Sequence, residues 1–517
     1  MRVLLTLLIT ILLQAQDSEV RSRVCGGCHP EIFRSYIQTG MARSSGRAGS
    51  GSFAEKLPAG PIADKSSGAT YRITPGEHSY EMEFKRPHAA VSGVRELKWF
   101  IGSGNVGRSY AFAVDGFLFQ APVSYYSSVG AWDLSPGYAG KPYIDLAKPI
   151  EEPCLYCHAS GSQPLAKTKN RYPDPPFRES GIGCERCHGP GQKHVQTHRE
   201  IVNPVKLEPA RRDSICQQCH LTGAARVPRP GRGVGTFRPG DSLSDHLTVF
   251  VWDGASGKAA ATDHSEQLAM SKCKLASGDR MWCGTCHDPH ATPNGSDRVG
   301  FYQKACLRCH SQKGCTLDEQ ARRAKGNDCA SCHMPKNASR EGEHVAYTDH
   351  RILRRPVAPS DDQRGFTLRS FWGRPAEDRD VAIAYASLGR ARLPLLEKLR
   401  SSDDAPVLVQ LAQLYDAAGK ADSAENIYER VLRLDPLNAA AEANLAIYRV
   451  RNGRSSEAIA LWQDVFSRYP ALAGAGINLA VAQLDAGDRP AALKTVEKLL
   501  QFHPDLEAVR QLQARLR

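Results

Sequence analysis

Fourteen of the sixteen cysteines fall into seven copies of one pattern, Cys-x-x-Cys-His. The copies are Cys25/Cys28/His29, Cys154/Cys157/His158, Cys184/Cys187/His188, Cys216/Cys219/His220, Cys283/Cys286/His287, Cys306/Cys309/His310 and Cys329/Cys332/His333. Two thiols three residues apart can add to the two vinyl groups of one haem, and the residue that follows puts an imidazole beneath the iron. Paired cysteines also build tetrahedral zinc sites, but zinc does not require histidine directly after the second cysteine each time. Only 17 of the 517 residues are histidine, so seven successes in seven exclude coincidence. A disulfide framework fails on the same ground. The pattern predicts seven covalently bound haem c groups, with His29, His158, His188, His220, His287, His310 and His333 as proximal iron ligands.

Covalent haem attachment calls for an exported chain. Met1-Arg2 is a minimal positive start, Val3 to Leu13 is apolar except for Thr6 and Thr10, and Ala15 offers a small residue for cleavage. That run is short for a membrane span, so residues 1–15 read as a signal peptide and the mature protein as periplasmic or otherwise extracytoplasmic. No other long apolar stretch follows, which predicts no integral span after cleavage. The formal charge is +12. From Ala405 onward 13 Lys+Arg balance 13 Asp+Glu, so the whole excess lies in the haem-bearing part. Haem propionates can absorb it, and the basic residues read as internal counterions rather than a nucleic-acid surface.

The elements that must position the motifs divide the chain into zones. Residues 16–60 carry the first haem site. Residues 61–150 lack one and read as a β-rich insert: Tyr71-Arg-Ile and Tyr80-Glu-Met-Glu-Phe84 alternate, and Asp115-Gly116 joins Tyr110/Phe112/Val114 to Phe117/Phe119 as a two-residue hairpin. The insert reads as packing over a haem, the competing reading being a cover that shapes a substrate pocket. Residues 151–350 hold six sites in a loop-rich, mainly α stretch, because porphyrins can replace much of a side-chain core. Successive motifs there lie 23 to 32 residues apart except for one gap of 67, which favours haems close enough for fast electron transfer. Residues 351–404 read as a linker that becomes helical over 381–400, with Pro394 as the break.

From 405 to 517 a 34-residue period takes over. Leu411/Leu445/Leu479, Ala412/Ala446/Ala480, Gly419/Gly453/Gly487, Ala424/Ala458/Ala492 and Pro436/Pro470/Pro504 recur in register, with Tyr428 and Trp462 at the large position. This is the tetratricopeptide pattern: three repeats, 405–438, 439–472 and 473–506, and a terminal helix. Such solenoids dock protein segments, so a redox partner or another protein is expected on Gln410, Asn444 and Asn478. The absence of cysteine here predicts a module detachable from the haem part. The whole is therefore multidomain: a multihaem cytochrome c with a β-rich insert, then an all-α solenoid.

Cys184-Glu-Arg-Cys-His-Gly-Pro-Gly-Gln-Lys-His194 and Cys283-Gly-Thr-Cys-His-Asp-Pro-His290 resemble the superfamily of the nitrifiers' tetrahaem cytochrome c, hydroxylamine oxidoreductase and pentahaem nitrite reductase. Cys329 to Lys336 and Thr348 to Ile352 resemble bacterial chains that join this module to tetratricopeptide repeats. The resemblance implies that a histidine just after one motif crosses to a neighbouring haem, which points to His194, His290 and His350 as distal ligands. His264 joins them as a spare histidine in the haem region. His198 and His344 stand behind these, then His78, His88 and His246. His503 lies in the repeats and is set aside, and Met41 is a competing axial ligand for the first haem. Cys273 and Cys315 are left to pair with each other or remain thiols. All seven motifs end in histidine, so the lysine-ligated catalytic haem of the pentahaem reductases has no counterpart. The leading function is an electron carrier with mostly bis-histidine haems. The alternative is an oxidoreductase acting on a small nitrogen or sulfur compound at one open haem, and no catalytic residue is assigned.

Overall fold

The computed structural model describes residues 20–49, 55–253, 263–293, 295–311, 314–339, 344–355 and 367–517. The expected signal peptide lies outside the described residues.

The insert is a pair of antiparallel sheets. One is a four-stranded meander, Ile62–Asp64, Ala69–Pro75, Tyr80–Arg86 and Val91–Leu97. The other runs Ser45–Arg47, Trp99–Ile101, Gly107–Val114, Phe117–Tyr126, Ala131–Leu134 in that spatial order. Alternation puts Tyr80, Met82 and Phe84 inside, where they meet Phe112, Phe119 and Val123 of the second sheet in one core. The predicted hairpin forms with Phe112 opposite Phe119 and Val114 opposite Phe117. Asp115 and Gly116 both take positive φ, 52° and 80°, the turn whose twist matches that of paired strands. Ser45–Arg47 pairs with Trp99–Ile101, so the first haem segment is sewn into this module rather than ending at residue 60.

The haem-bearing stretch consists of short helices, most ending in a motif: Glu152–His158, Glu185–His188, Pro209–His220, Arg298–His310 and Cys329–His333. Residues 351–404 are more than a linker. Leu368–Ser370 completes a three-stranded sheet with Ala225–Pro228 and Leu247–Trp252, and helix Asp378–Ser387 packs Ala384 against Ala225, Val227 and Phe250. Buried Asp380 accepts hydrogen bonds from Thr248 and Arg379. The helical break falls at Leu388–Arg392, where Gly389 has φ 67°. Pro394 instead opens the next helix, Leu393–Lys398, because its missing N–H costs nothing in a first turn.

The repeats form as read: Ala405–Ala417 with Ala421–Leu434, Ala439–Arg451 with Ser455–Arg468, Ala473–Asp485 with Arg489–Leu500, then Glu507–Leu516. Asp404, Asn438 and Asp488 accept from the backbone N–H three residues on and cap three of these helices. The alanines at the helix crossings are fully buried.

The solenoid is not detachable. Phe502, in the turn before the last helix, is fully buried in the β core, 5.0 Å from Phe119 between ring centres. Asp505 accepts from the backbone of Ile144 at 3.0 Å and pairs with Arg86 at 2.9 Å. Arg95 donates to the Gln501 carbonyl, Arg510 to that of Ala89, and Lys498 pairs with Asp115. At the other end Arg379 bridges Asp404 to the Pro228 carbonyl. The repeats are therefore fastened at both ends.

Candidate haem sites

A helical turn explains the motif mechanically. The histidine N–H donates to the carbonyl of the first cysteine four residues back, at 2.9 Å in His29, 3.0 Å in His188 and 2.9 Å in His287. First thiol, second thiol and imidazole thus share one side of the turn. Several ring nitrogens are oriented by backbone. Nδ1–H of His188 donates to Val202 O (2.8 Å), of His194 to Arg199 O (3.2 Å), of His333 to Leu353 O (2.9 Å) and of His350 to Thr348 O (2.8 Å). Such a bond fixes the tautomer and leaves the Nε2 lone pair for a metal. Burial holds His158, His188, His220, His287 and His350 below the usual imidazole range, favouring the neutral, ligating form.

The histidines then meet across motifs. His29 and His194 lie parallel, 7° apart in plane, with ring centres 6.4 Å apart. His188 and His290 lie 5.9 Å apart at 11°, and His287 and His350 6.2 Å apart at 27°. Two metal–nitrogen bonds of roughly 2 Å, plus about 1 Å from each nitrogen to its ring centre, put two axial imidazoles about 6 Å apart. His220 meets His264 edge to face at 5.1 Å, closer than an axial pair requires, and His264 also lies 4.6 Å from His350. Among the described residues, no histidine ring stacks on or abuts His158, His310 or His333, and no three His, Cys, Asp or Glu side chains converge as a zinc site would need.

Of the other histidines, His246, His344 and His503 are bonded elsewhere. His246 is buried with Nδ1 2.8 Å from Thr236 Oγ1 and Nε2 3.2 Å from Asp241. His344 donates Nε2–H to Asp133 at 2.9 Å and packs on Tyr126. His503 donates to the Ala471 carbonyl. His78 is exposed beside Glu77, His88 sits in the turn Pro87–Ala89, and His198 caps helix Gln192–Thr197 with φ 58°. The Met41 backbone carbonyl receives Ile182 N–H and Ser44 Oγ–H. Cys273 and Cys315 are both free thiols and do not bridge.

The surroundings fit haem. Buried polar atoms without a partner gather beside the motifs: Nε of Arg186, Arg226 and Arg322, Oε1 of Gln217, Nε2 of Gln267 and Nδ1 of His158 and His220. Buried polar groups are normally satisfied, so such a set marks room for a polar-edged ligand, and guanidinium groups suit propionates. Thiols of different motifs lie against each other: Cys25 with Cys184, Cys157 with Cys219, Cys216 with Cys283, Cys306 with Cys329. The hydrogen bond from the Cys219 thiol, with help from Arg226 and Arg186, brings Cys157 down to about 7 despite burial, toward the nucleophilic thiolate. Sequence reasoning missed Arg186 and Arg226; their sole signal was the basic excess of the haem part.

The spacing makes all fourteen motif thiols equivalent, and six of them, Cys28, Cys154, Cys187, Cys286, Cys309 and Cys332, are not among these pairs between motifs. Cys28 ends helix Ser22–Cys28 with its side chain exposed, and its thiol makes no hydrogen bond among the described residues. Cys332 is half-buried in the five-residue helix Cys329–His333, where the Ser331 hydroxyl approaches its sulfur at 4.0 Å, a weak bond at most. The first and last motifs meet another motif through their first cysteine, Cys25 or Cys329, as the third, fifth and sixth do through Cys184, Cys283 and Cys306. Cys154 and Cys309 are exposed as well, while Cys187 and Cys286 are half-buried and held up by burial.

Comparisons with known proteins agree in outline. Residues 140–189 match the family model of cytochrome c554 and c-prime, and residues 275–315 that of a doubled CXXCH motif. Residues 407–438 and 449–516 match tetratricopeptide-repeat models. No curated protein matches the chain. Among solved structures, "MamA AMB-1" is 25% identical over 27% of this chain and 86% of its own, with a TM-score of 0.25. "MamA RS-1 ArsTM double mutant" is 17% identical over 27% and 80%, TM-score 0.24. The first tetratricopeptide domain of Spaghetti (RPAP3), bound to an HSP90 peptide, is 21% identical over 22% and 92%, TM-score 0.21. The class follows from the family matches: a haem c-binding protein whose motifs are those of multihaem electron carriers, ending in repeats that serve protein docking. Among the described residues, no helix is long and apolar enough to cross a membrane.

Proposed function

We propose that the chain is an exported heptahaem c-type cytochrome of the superfamily named above, carrying electrons along closely spaced haems and docking a protein partner through its repeats. The observation that carries the reading is the set of near-parallel histidine pairs at axial spacing, His29/His194, His188/His290 and His287/His350. Each pair joins a proximal histidine to one that follows a different motif, so adjacent sites share a ligand-bearing loop. When bound, haem c supplies a one-electron iron couple. The chain's part is to hold the two imidazoles of each pair facing one another, to bring guanidinium groups to the propionates, and to keep neighbouring motifs in contact. Replacing His194 or His290 by Ala should each produce a high-spin signal in a low-spin spectrum; no change in either variant would remove the axial assignment. Export is tested by fractionation: haem-bearing protein retained in the cytoplasm would contradict it.

A second reading, an oxidoreductase acting on a small nitrogen or sulfur compound, draws on His158, His310 and His333, which have no histidine opposite among the described residues. Carbon monoxide added to the reduced protein distinguishes the two, because an iron with two firm protein ligands does not respond.

A further inference from the structure

Helix Arg298–His310 carries the sixth motif and stands unusually bare: among its residues Ala305 alone is buried. Phe301, Lys304 and Arg308 are spaced three and four residues apart and so share one of its faces, all exposed. Cys306 and His310 lie on the opposite side of the same helix, which sets a haem attachment one helix thickness behind that face. Lys304 and Arg308 are a like-charged pair one turn apart, an arrangement that costs a helix stability unless something acidic answers it. Neither has a hydrogen bond or ion pair among the described residues, and the same holds for exposed Arg298 and Lys325 nearby. Between Asp297 and Lys336 eight Lys/Arg face four Asp/Glu. Apolar surface is present on the helix too, with Phe301 37% and Leu307 42% exposed.

The first motif makes the contrast. It is also exposed, with Ile32 beside it, but three of its five cations are used internally, Arg34, Arg43 and Arg47 donating to the carbonyls of Pro30, Ile37 and His78, which leaves Arg21 and Arg23. The sixth site has neighbours through which electrons can pass inward, since Cys306 lies against Cys329 of the seventh motif.

We propose that the Phe301/Lys304/Arg308 face is the docking surface for an acidic one-electron carrier protein, which makes the sixth haem the port of the network. This rests on the electron-carrier reading above. A cationic rim around a small apolar centre steers an anionic partner and releases it quickly, as turnover between carriers requires.

The test uses the full-length haem-loaded protein and its Arg298→Glu/Lys304→Glu variant, neither residue being part of a motif. Each is mixed with reduced flavodoxin as the acidic probe, with a basic small cytochrome c, and with dithionite. In the wild type the flavodoxin reaction should slow steeply between about 10 and about 300 mM salt. In the variant it should be slower by roughly tenfold at low salt and nearly salt-independent. Haem content and dithionite reduction should not change, and flavodoxin binding measured by calorimetry should weaken in step. Equal flavodoxin rates in both proteins, or a wild type that prefers the basic cytochrome, would overturn the proposal. So would binding to phosphatidylglycerol vesicles that the variant loses while its flavodoxin rate stays unchanged, since the face would then serve a membrane surface. A wild type without covalent haem, or one that dithionite cannot reduce, would instead sink the electron-carrier reading itself.

Discussion

The β module and the end of the haem region are built on opposite principles. Between Ile62 and Tyr126 the chain buries a dense set of aromatic and aliphatic side chains, Tyr71, Met82, Phe84, Leu97, Phe112 and Phe119 among them. Between His264 and Arg355 the buried apolar side chains among the described residues are Ala305 and Tyr347. Burial of apolar area is what offsets the entropy of ordering a chain, and the second region has almost none of its own. It has instead three complete motifs, the histidines 264, 290 and 350, and orphaned polar atoms such as Arg322 Nε and Gln267 Nε2. The lesson is that one region carries its core in its sequence while the other leaves the interior for its cofactors.

The comparison breaks most visibly if haem attachment is blocked. Replacing the cysteines of the last three motifs by Ala should leave residues 264–355 open to protease while the β module stays resistant; equal resistance would show that the region folds without its haems. The next effect sharpens the β side. Phe502→Ala removes a side chain shared by module and solenoid and should cost about 3–5 kcal/mol in urea unfolding of the β module. Truncation before Ala405 should do at least as much, and a truncated protein of unchanged stability would restore the detachable reading. Asp505→Asn keeps the shape but loses the charge facing Arg86, and about 1–3 kcal/mol is expected. The smallest effects should come from His246→Ala and His344→Ala. Both side chains are bound to carboxylates, so the haem spectrum should keep its low-spin form, and a new high-spin signal in either would return it to the ligand set.

What was legible in the sequence was what local spacing encodes. The seven motifs, the hairpin at Asp115-Gly116 and the 34-residue register each depend on neighbours a few residues apart or on a fixed period. His194 and His290 were found through motifs that resemble a family, and the structure brings them opposite His29 and His188. Spacing could not rank the thiols: Cys28 and Cys332 obey the motif as well as Cys157 does, and Cys219, Arg226 and Arg186 reach Cys157 only in space. The fastening of the solenoid was invisible, because Phe502 reads as one more repeat residue until Phe119, nearly four hundred residues earlier, is beside it. The role of 351–404 was hidden likewise: Leu368–Ser370 is too short to read as a strand and exists through its pairing with Leu247–Trp252. His246 and His344 could not be separated from His194 and His290 by spacing, since Asp241 and Asp133 meet them only in space.

The central claim is that the chain's seven motifs each hold a haem by covalent bonds. The most direct measurement is the intact mass of the purified protein under denaturing conditions, which strips any group held by packing or ligation alone. A mass above the signal-cleaved chain by seven haems is the predicted result. A mass equal to the bare polypeptide, with zinc recovered in the native protein, would contradict it.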